Sequence, residues 1–173
     1  MAGLKLKKII DAFSLEVIHA SSDMESALLT VPEVNRPGLQ FHDFYDYFDP
    51  HRLQILGKAE AMYLESLTSE HRRKCYDDLF LYNIPAFVIC NGHEVHEECL
   101  ESAREYGRTI LRTGATTIEF TSQTIDYLNR ALAPCITRHG VLMEVYGEGL
   151  LLTGESGIGK SEAAVELLKR GHR

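Results

Sequence analysis

The stretch Leu150-Leu151-Leu152-Thr153-Gly154-Glu155-Ser156-Gly157-Ile158-Gly159-Lys160-Ser161 decides the reading of this chain. From Gly154 onward it fits G-x-x-x-x-G-K-[ST] at every fixed position. An apolar strand, Leu150–Thr153, runs straight into the glycines. A helical pattern from Glu162 to Arg170 leaves them, and Gly171 is its stop. Strand, loop and helix in that order form the setting in which the pattern holds phosphate. Gly154, Gly157 and Gly159 carry no side chain, so backbone N–H groups can converge on phosphate oxygens. Glu155, Ser156 and Ile158 complete the loop. The helix N-terminus adds partial positive charge at the same point. Lys160 can bring its ammonium to the β- and γ-phosphates, and the Ser161 hydroxyl can ligate Mg²⁺.

Moving outward, Gly140–Tyr146 reads as a second strand, joined to the first by a turn at Gly147-Glu148-Gly149. His139 stands at the head of that strand, though a lone histidine is more often a residue without a special role. Glu162 follows Ser161 in the first helical turn, where a carboxylate is favoured by the helix dipole alone. Ala133-Pro134 breaks the helical pattern before it. The boundary is therefore placed there, with residues 1–133 as one domain and 134–173 as the start of another.

The first 133 residues alternate strand and helix patterns. Helix is expected over Lys5–Ala12, from Gly57 to about Leu67, from Thr68 to Leu81, over Glu97–Arg108 and over Thr124–Leu132. Strands are expected at Leu15–His19, Ala27–Val31, Leu53–Leu56, Ala86–Cys90, Thr109–Arg112 and Thr117–Phe120. Arg36-Pro37-Gly38 is expected to be a type II turn with Gly38 at positive φ. The dense aromatics from Phe41 to Phe48 suit a core corner or an interface. The fold class is α/β, a mixed or mostly parallel sheet flanked by helices, followed by the first strands and helix of a P-loop kinase domain.

Charge and cysteines narrow the function classes. A formal charge of −7 argues against a general nucleic-acid binder. No apolar run has the length of a membrane-spanning helix, and no signal pattern opens the chain, so a cytoplasmic protein is expected. Cys90, His93, His96 and Cys99 follow C-x-x-H-x-x-H-x-x-C, and all four types bind zinc. Cys90 belongs to an apolar strand, however, and Cys99 to the next helix. Zinc ligands usually pair on a knuckle or one helical face, so no structural zinc is expected.

The run from His139 through Gly147, the loop Gly154–Ser161 with Glu162, and Lys169-Arg170-Gly171-His172-Arg173 closely resemble the HPr kinase/phosphorylase family. Arg36-Pro37-Gly38-Leu39, Arg52–Lys58, Tyr82-Asn83-Ile84-Pro85-Ala86 and Leu111-Arg112-Thr113 extend the resemblance over nearly the whole chain. The resemblance implies Mg²⁺-dependent transfer of phosphate from ATP or pyrophosphate to a serine of the phosphocarrier HPr. It also implies the reverse phosphorolysis, a role in bacterial carbon catabolite regulation and a homohexamer. By position, His139 and Lys160 match active-site residues, Gly154–Ser161 the nucleotide loop and Ser161 a metal ligand.

The family's aspartate-bearing strand, expected directly after Arg173, is absent from these 173 residues. So are its metal-binding glutamate and the helices that grip HPr. The sequence is therefore expected to be a piece of a longer enzyme, inactive by itself. Another P-loop small-molecule kinase, or a binding and assembly module without catalysis, are the alternative readings.

Overall fold

Strands that are apolar on both sides need cover on both faces, and residues 53–56, 87–89 and 110–112 receive it. The computed structural model describes residues 3–173, which divide into two units, 3–133 and 134–173. In the first unit the elements run β1 (Leu4–Lys5), α1 (Leu6–Ala12), β2 (Glu16–His19), β3 (Leu28–Leu29) and β4 (Val34–Asn35). A 3₁₀ turn at Gln40–His42 follows, then β5 (Leu53–Leu56), α2 (Lys58–Ser66), α3 (Ser69–Phe80) and β6 (Phe87–Ile89). The unit closes with α4 (Glu97–Tyr106), β7 (Ile110–Arg112) and α5 (Thr117–Leu132).

Among the described residues the sheet has five strands in the order β2-β7-β6-β5-β4. β4 to β7 are parallel, and β2 joins β7 antiparallel. Alternation along each strand splits the core. Leu56, Phe87, Ile89 and Ile110 pack beneath α2, α3 and α4, against Leu64, Leu79, Phe80 and Ala103. Ile55, Val88 and Leu111 face the other way, onto Leu6 and Ile9 of α1 and Phe120 and Leu128 of α5. This is the mixed, helix-flanked α/β sheet expected from the sequence.

Three local expectations are overturned. Residues Thr117–Phe120 are not a strand but the first turn of α5. Their β-branched side chains yield to an N-cap, in which the Thr116 hydroxyl accepts the Glu119 N–H at 3.3 Å. Thr116-x-x-Glu119 is the capping-box sequence, a signal present in the chain and outweighed by β-propensity in the reading above. Arg36-Pro37-Gly38 is not a type II turn, because Gly38 has no positive φ. Instead the Gly38 N–H donates to the Arg36 carbonyl at 2.8 Å, a three-residue turn centred on Pro37, whose ring fixes the φ it needs.

The third lies in the second unit, where β8 (Gly140–Val145) and β9 (Glu148–Thr153) form an antiparallel hairpin. Its turn is Tyr146-Gly147, at φ 52° and 84°, and Glu148 and Gly149 already belong to the strand. Positive φ at both central residues gives the turn that matches strand twist. Beyond the glycine loop comes α6 (Lys160–Lys169). Met143 and Ala164 are buried in this unit, but Leu142, Leu150, Leu151, Val165 and Leu168 are exposed. Its apolar face is open.

Candidate functional site: the glycine loop between β9 and α6

β9 delivers the chain to Gly154, which sits at φ 153°; Gly157 and Gly159 follow at 84° and 95°. These are conformations that only glycine adopts cheaply. Gly159 is also the residue that caps α6, so the helix dipole points into the loop's concavity. A Cβ on Gly154 would lie 3.2 Å from the Ile158 Cγ2 atom, which explains why the loop can close so tightly there.

A cavity of about 700 Å³ opens over the loop, lined by His139, Gly154, Ser156, Gly157, Gly159, Lys160, Ser161 and Glu162, with Gly140 and Val141 at its side. Most of the loop residues expected from the sequence therefore meet in one place, together with His139. Glu155 and Ile158 do not line it. Ile158 is exposed and lies across Gly154, and Glu155 takes part through its carbonyl. The Lys160 ammonium donates to the Gly154 carbonyl at 2.8 Å and the Glu155 carbonyl at 2.5 Å. It is thus folded back on its own loop, and an incoming phosphate oxygen can take the place of those carbonyls.

Glu162, to which the sequence reading gave no role beyond the helix dipole, also lines the cavity, and its carboxylate lies 3.8 Å from where a Gly159 Cβ would stand. Its signal was adjacency to Ser161 in the first helical turn, which the dipole explanation masked. Glycines with left-handed backbone, a helix N-terminus, one lysine and one hydroxyl fit a magnesium phosphate group: N–H donors and ammonium for oxygens, Ser161 for the cation.

The Cys90–Cys99 spacing makes no comparable site. Cys90 is packed on the α1/α5 side of the sheet and Cys99 on the α2–α4 side. Burial pushes the Cys90 thiol up to about 12 and raises Cys99 further. His96 shares a 2.8 Å hydrogen bond between its Nδ1 and the Tyr76 hydroxyl, and burial lowers its pKa. Among the described residues no group of three or more His, Cys, Asp or Glu could hold a metal ion. Nor is any helix of the described residues long and apolar enough to cross a membrane.

An apolar strand, a glycine loop and a helix headed by Lys-Ser place the second unit in the P-loop class. The family assignment is narrower. The model for the HPr serine kinase N terminus matches residues 4–128, and that for the HPr serine kinase C-terminal domain matches residues 130–173. The chain belongs to the HPr serine kinase family. Proteins called HPr kinase/phosphorylase from Clostridium perfringens (strain SM101 / Type A) and Alkaliphilus metalliredigens are 47% and 45% identical to it, over 99% of the chain in each case. One of the same name from Lachnoclostridium phytofermentans is 46% identical over the full chain. The chain spans about half the length of these relatives, 55%, 55% and 56%.

Among solved structures, the CBS and DRTGG domains of the regulatory region of Clostridium perfringens pyrophosphatase, complexed with the activator diadenosine tetraphosphate, align with a TM-score of 0.51. That match covers 72% of this chain and 49% of the other at 16% identity, a likeness of fold alone.

Proposed function

We propose that this chain supplies the first unit and the phosphate-binding part of a bifunctional HPr serine kinase/phosphorylase. In one direction the enzyme moves a phosphoryl group from ATP or pyrophosphate to a serine of HPr. In the other, inorganic phosphate attacks the phosphoserine and pyrophosphate leaves. The observation that carries this reading is the shared cavity of His139, Lys160 and Ser161 at the N-terminus of α6. The names and family of its relatives support the choice of HPr as the substrate.

On this reading the loop N–H groups hold the donor's phosphates. Lys160 leaves the Gly154 and Glu155 carbonyls to bridge the transferred group, where preorganised positive charge stabilises the transition state. Ser161 would hold Mg²⁺, which when bound neutralises charge between the phosphates. His139, which also lines the cavity, is proposed to hydrogen-bond the transferred phosphate or the incoming phosphate ion. The group that accepts the serine proton is proposed to lie in the part of the relatives that this chain does not span. A homohexamer in the cytoplasm, serving carbon catabolite regulation, completes the proposal.

The test uses the complete protein with radiolabelled ATP, Mg²⁺ and HPr. Label on an HPr serine, released as pyrophosphate when unlabelled phosphate is added, is the expected result. Label that goes to a small molecule instead, with HPr untouched, would refute the reading.

A further inference from the structure

The first unit carries a surface that neither its core nor the glycine loop explains. Residues 43–49 read Asp-Phe-Tyr-Asp-Tyr-Phe-Asp. Tyr45 and Phe48 are half-buried and form a floor with Tyr82: the Tyr45 and Tyr82 rings stack at 5.1 Å, and Phe48 meets Tyr82 edge-on at 5.0 Å. The same segment and the residue next to Tyr82 carry exposed apolar side chains, Phe44, Tyr47 and Leu81, with Leu39 tied in by the Phe44 N–H to Leu39 carbonyl bond of 3.2 Å.

Tyr47 is fully exposed, 101% of its reference area, yet its backbone sits at φ 64°. A bulky residue in the left-handed region costs stability that glycine or asparagine would avoid. With no burial to offset that cost, an aromatic ring at position 47 does nothing for the fold of this chain. Apolar residues grouped on a surface rather than scattered mark interaction sites.

Charge chooses the occupant. Residues 1–133 hold 13 Lys and Arg against 20 Asp and Glu, while residues 134–173 hold 5 of each, so the whole excess of negative charge lies in the first unit. The aromatic patch is rimmed by Asp43, Asp46, Asp49 and Asp78. Lys74 bridges Asp43 and Asp78 at 2.9 Å each, and Asp49 meets Arg52 and His51, but Asp46 has no ion-pair partner among the described residues. A second copy docking by two-fold symmetry would set these carboxylates against their own images. An anionic membrane surface is disfavoured for the same reason.

We propose that the 39–48 segment and the Leu81-Tyr82 corner form a docking surface for a basic protein segment, with Phe44 and Tyr47 as its apolar anchors and Asp46 as the carboxylate that receives a lysine or arginine. The partner's chemistry is an arginine or lysine flanked by aliphatic side chains. The inference is independent of the reaction proposed for the glycine loop.

The experiment titrates the chain against a short fluorescein-labelled peptide alternating Arg and Leu, read by anisotropy, with an alternating Glu and Leu peptide as the charge-reversed control. The Arg–Leu peptide binds and the Glu–Leu peptide does not. Tyr47→Gly weakens binding about tenfold or more, the loss expected of an aromatic anchor, and Asp46→Asn weakens it in a salt-dependent way. Ile118→Ser, which removes an exposed apolar side chain on α5, leaves binding unchanged. Because glycine accepts the left-handed backbone, Tyr47→Gly also keeps or raises the Tm, so misfolding is distinguished from lost contact. Equal binding by wild type and Tyr47→Gly, or equal loss in Ile118→Ser, overturns the proposal. A dimer in sedimentation that Tyr47→Gly abolishes would also overturn it, by making the occupant a second copy.

Discussion

Replacing Arg72 by alanine removes a side chain that holds three elements of the first unit together. Its Nε and Nη2 donate to the Leu64 and Leu67 carbonyls at 2.9 and 3.0 Å, closing the end of α2. Its Nη1 donates to Glu98 Oε1 at 3.1 Å, in the first turn of α4. The two side chains are 17% and 14% exposed, so water recovers little of what is lost. A hydrogen bond to a charged group is worth about 1.5–3 kcal/mol. Three such bonds from one guanidinium are not additive, so the expected cost is about 2–4 kcal/mol.

Part of that cost is Glu98 left with a carboxylate and one partner fewer. The Glu98 carboxyl is held below its ordinary value, first by a hydrogen bond from Ser69 and further by Arg72. A depressed carboxylate contributes stability above its unfolded pKa, about 4.3, and loses it as pH falls through the folded value. The penalty of Arg72→Ala is therefore full at neutral pH and shrinks on acidification below about pH 4. Urea unfolding followed by near-UV ellipticity of Tyr76, buried among Phe41, Phe80 and Phe87, measures it in the right unit. The Glu98→Gln background should absorb part of the loss. A cost under about 0.5 kcal/mol, the range of an ordinary surface change, or one unaltered by Glu98→Gln, refutes the reasoning.

Other expectations follow from the same contacts. Thr116→Ala deletes the cap of α5 and should lower stability by about 1 kcal/mol, whereas Thr116→Asp or Thr116→Ser should retain most of it; equal loss in all three by urea unfolding would dismiss the cap. Cys90 and Cys99, raised by burial on opposite sides of the sheet, should resist iodoacetamide at mildly alkaline pH until the protein unfolds. Elemental analysis should find no stoichiometric zinc with them, and native alkylation of either or a Tm lowered by chelator would contradict this.

Much of the architecture was legible because the sheet is covered on both faces. Apolar runs such as Ala86–Cys90 admit few readings, and the helix expected over Glu97–Arg108 is there, ended at Tyr106 by Gly107 at φ 64°. Short edge elements were not legible. β1 and β4 are two residues each, and nothing in Leu4-Lys5 or Val34-Asn35 outweighs noise. The Thr117–Phe120 error shows a local competition, in which one hydroxyl cap outweighed the strand preference of Thr117 and Ile118. The glycine loop was readable because its chemistry forces residue types at fixed spacing. Glu162 was not, since a first-turn carboxylate has a reason to be there without any ligand.

The central claim is that Lys160 stabilises one transition state crossed in both directions. On the proposed reading, transfer from pyrophosphate to the HPr serine and attack by phosphate on phosphoserine are one step run in opposite directions, so charge supplied at its transition state must serve both alike. A preorganised donor of this kind is worth about 3–4 kcal/mol. In the complete enzyme at saturating Mg²⁺, Lys160→Ala should depress pyrophosphate-dependent kinase and phosphorylase turnover by similar factors, about 10²–10³. If one direction collapses while the other keeps near wild-type turnover, Lys160 does not act on the shared transition state and the account is wrong.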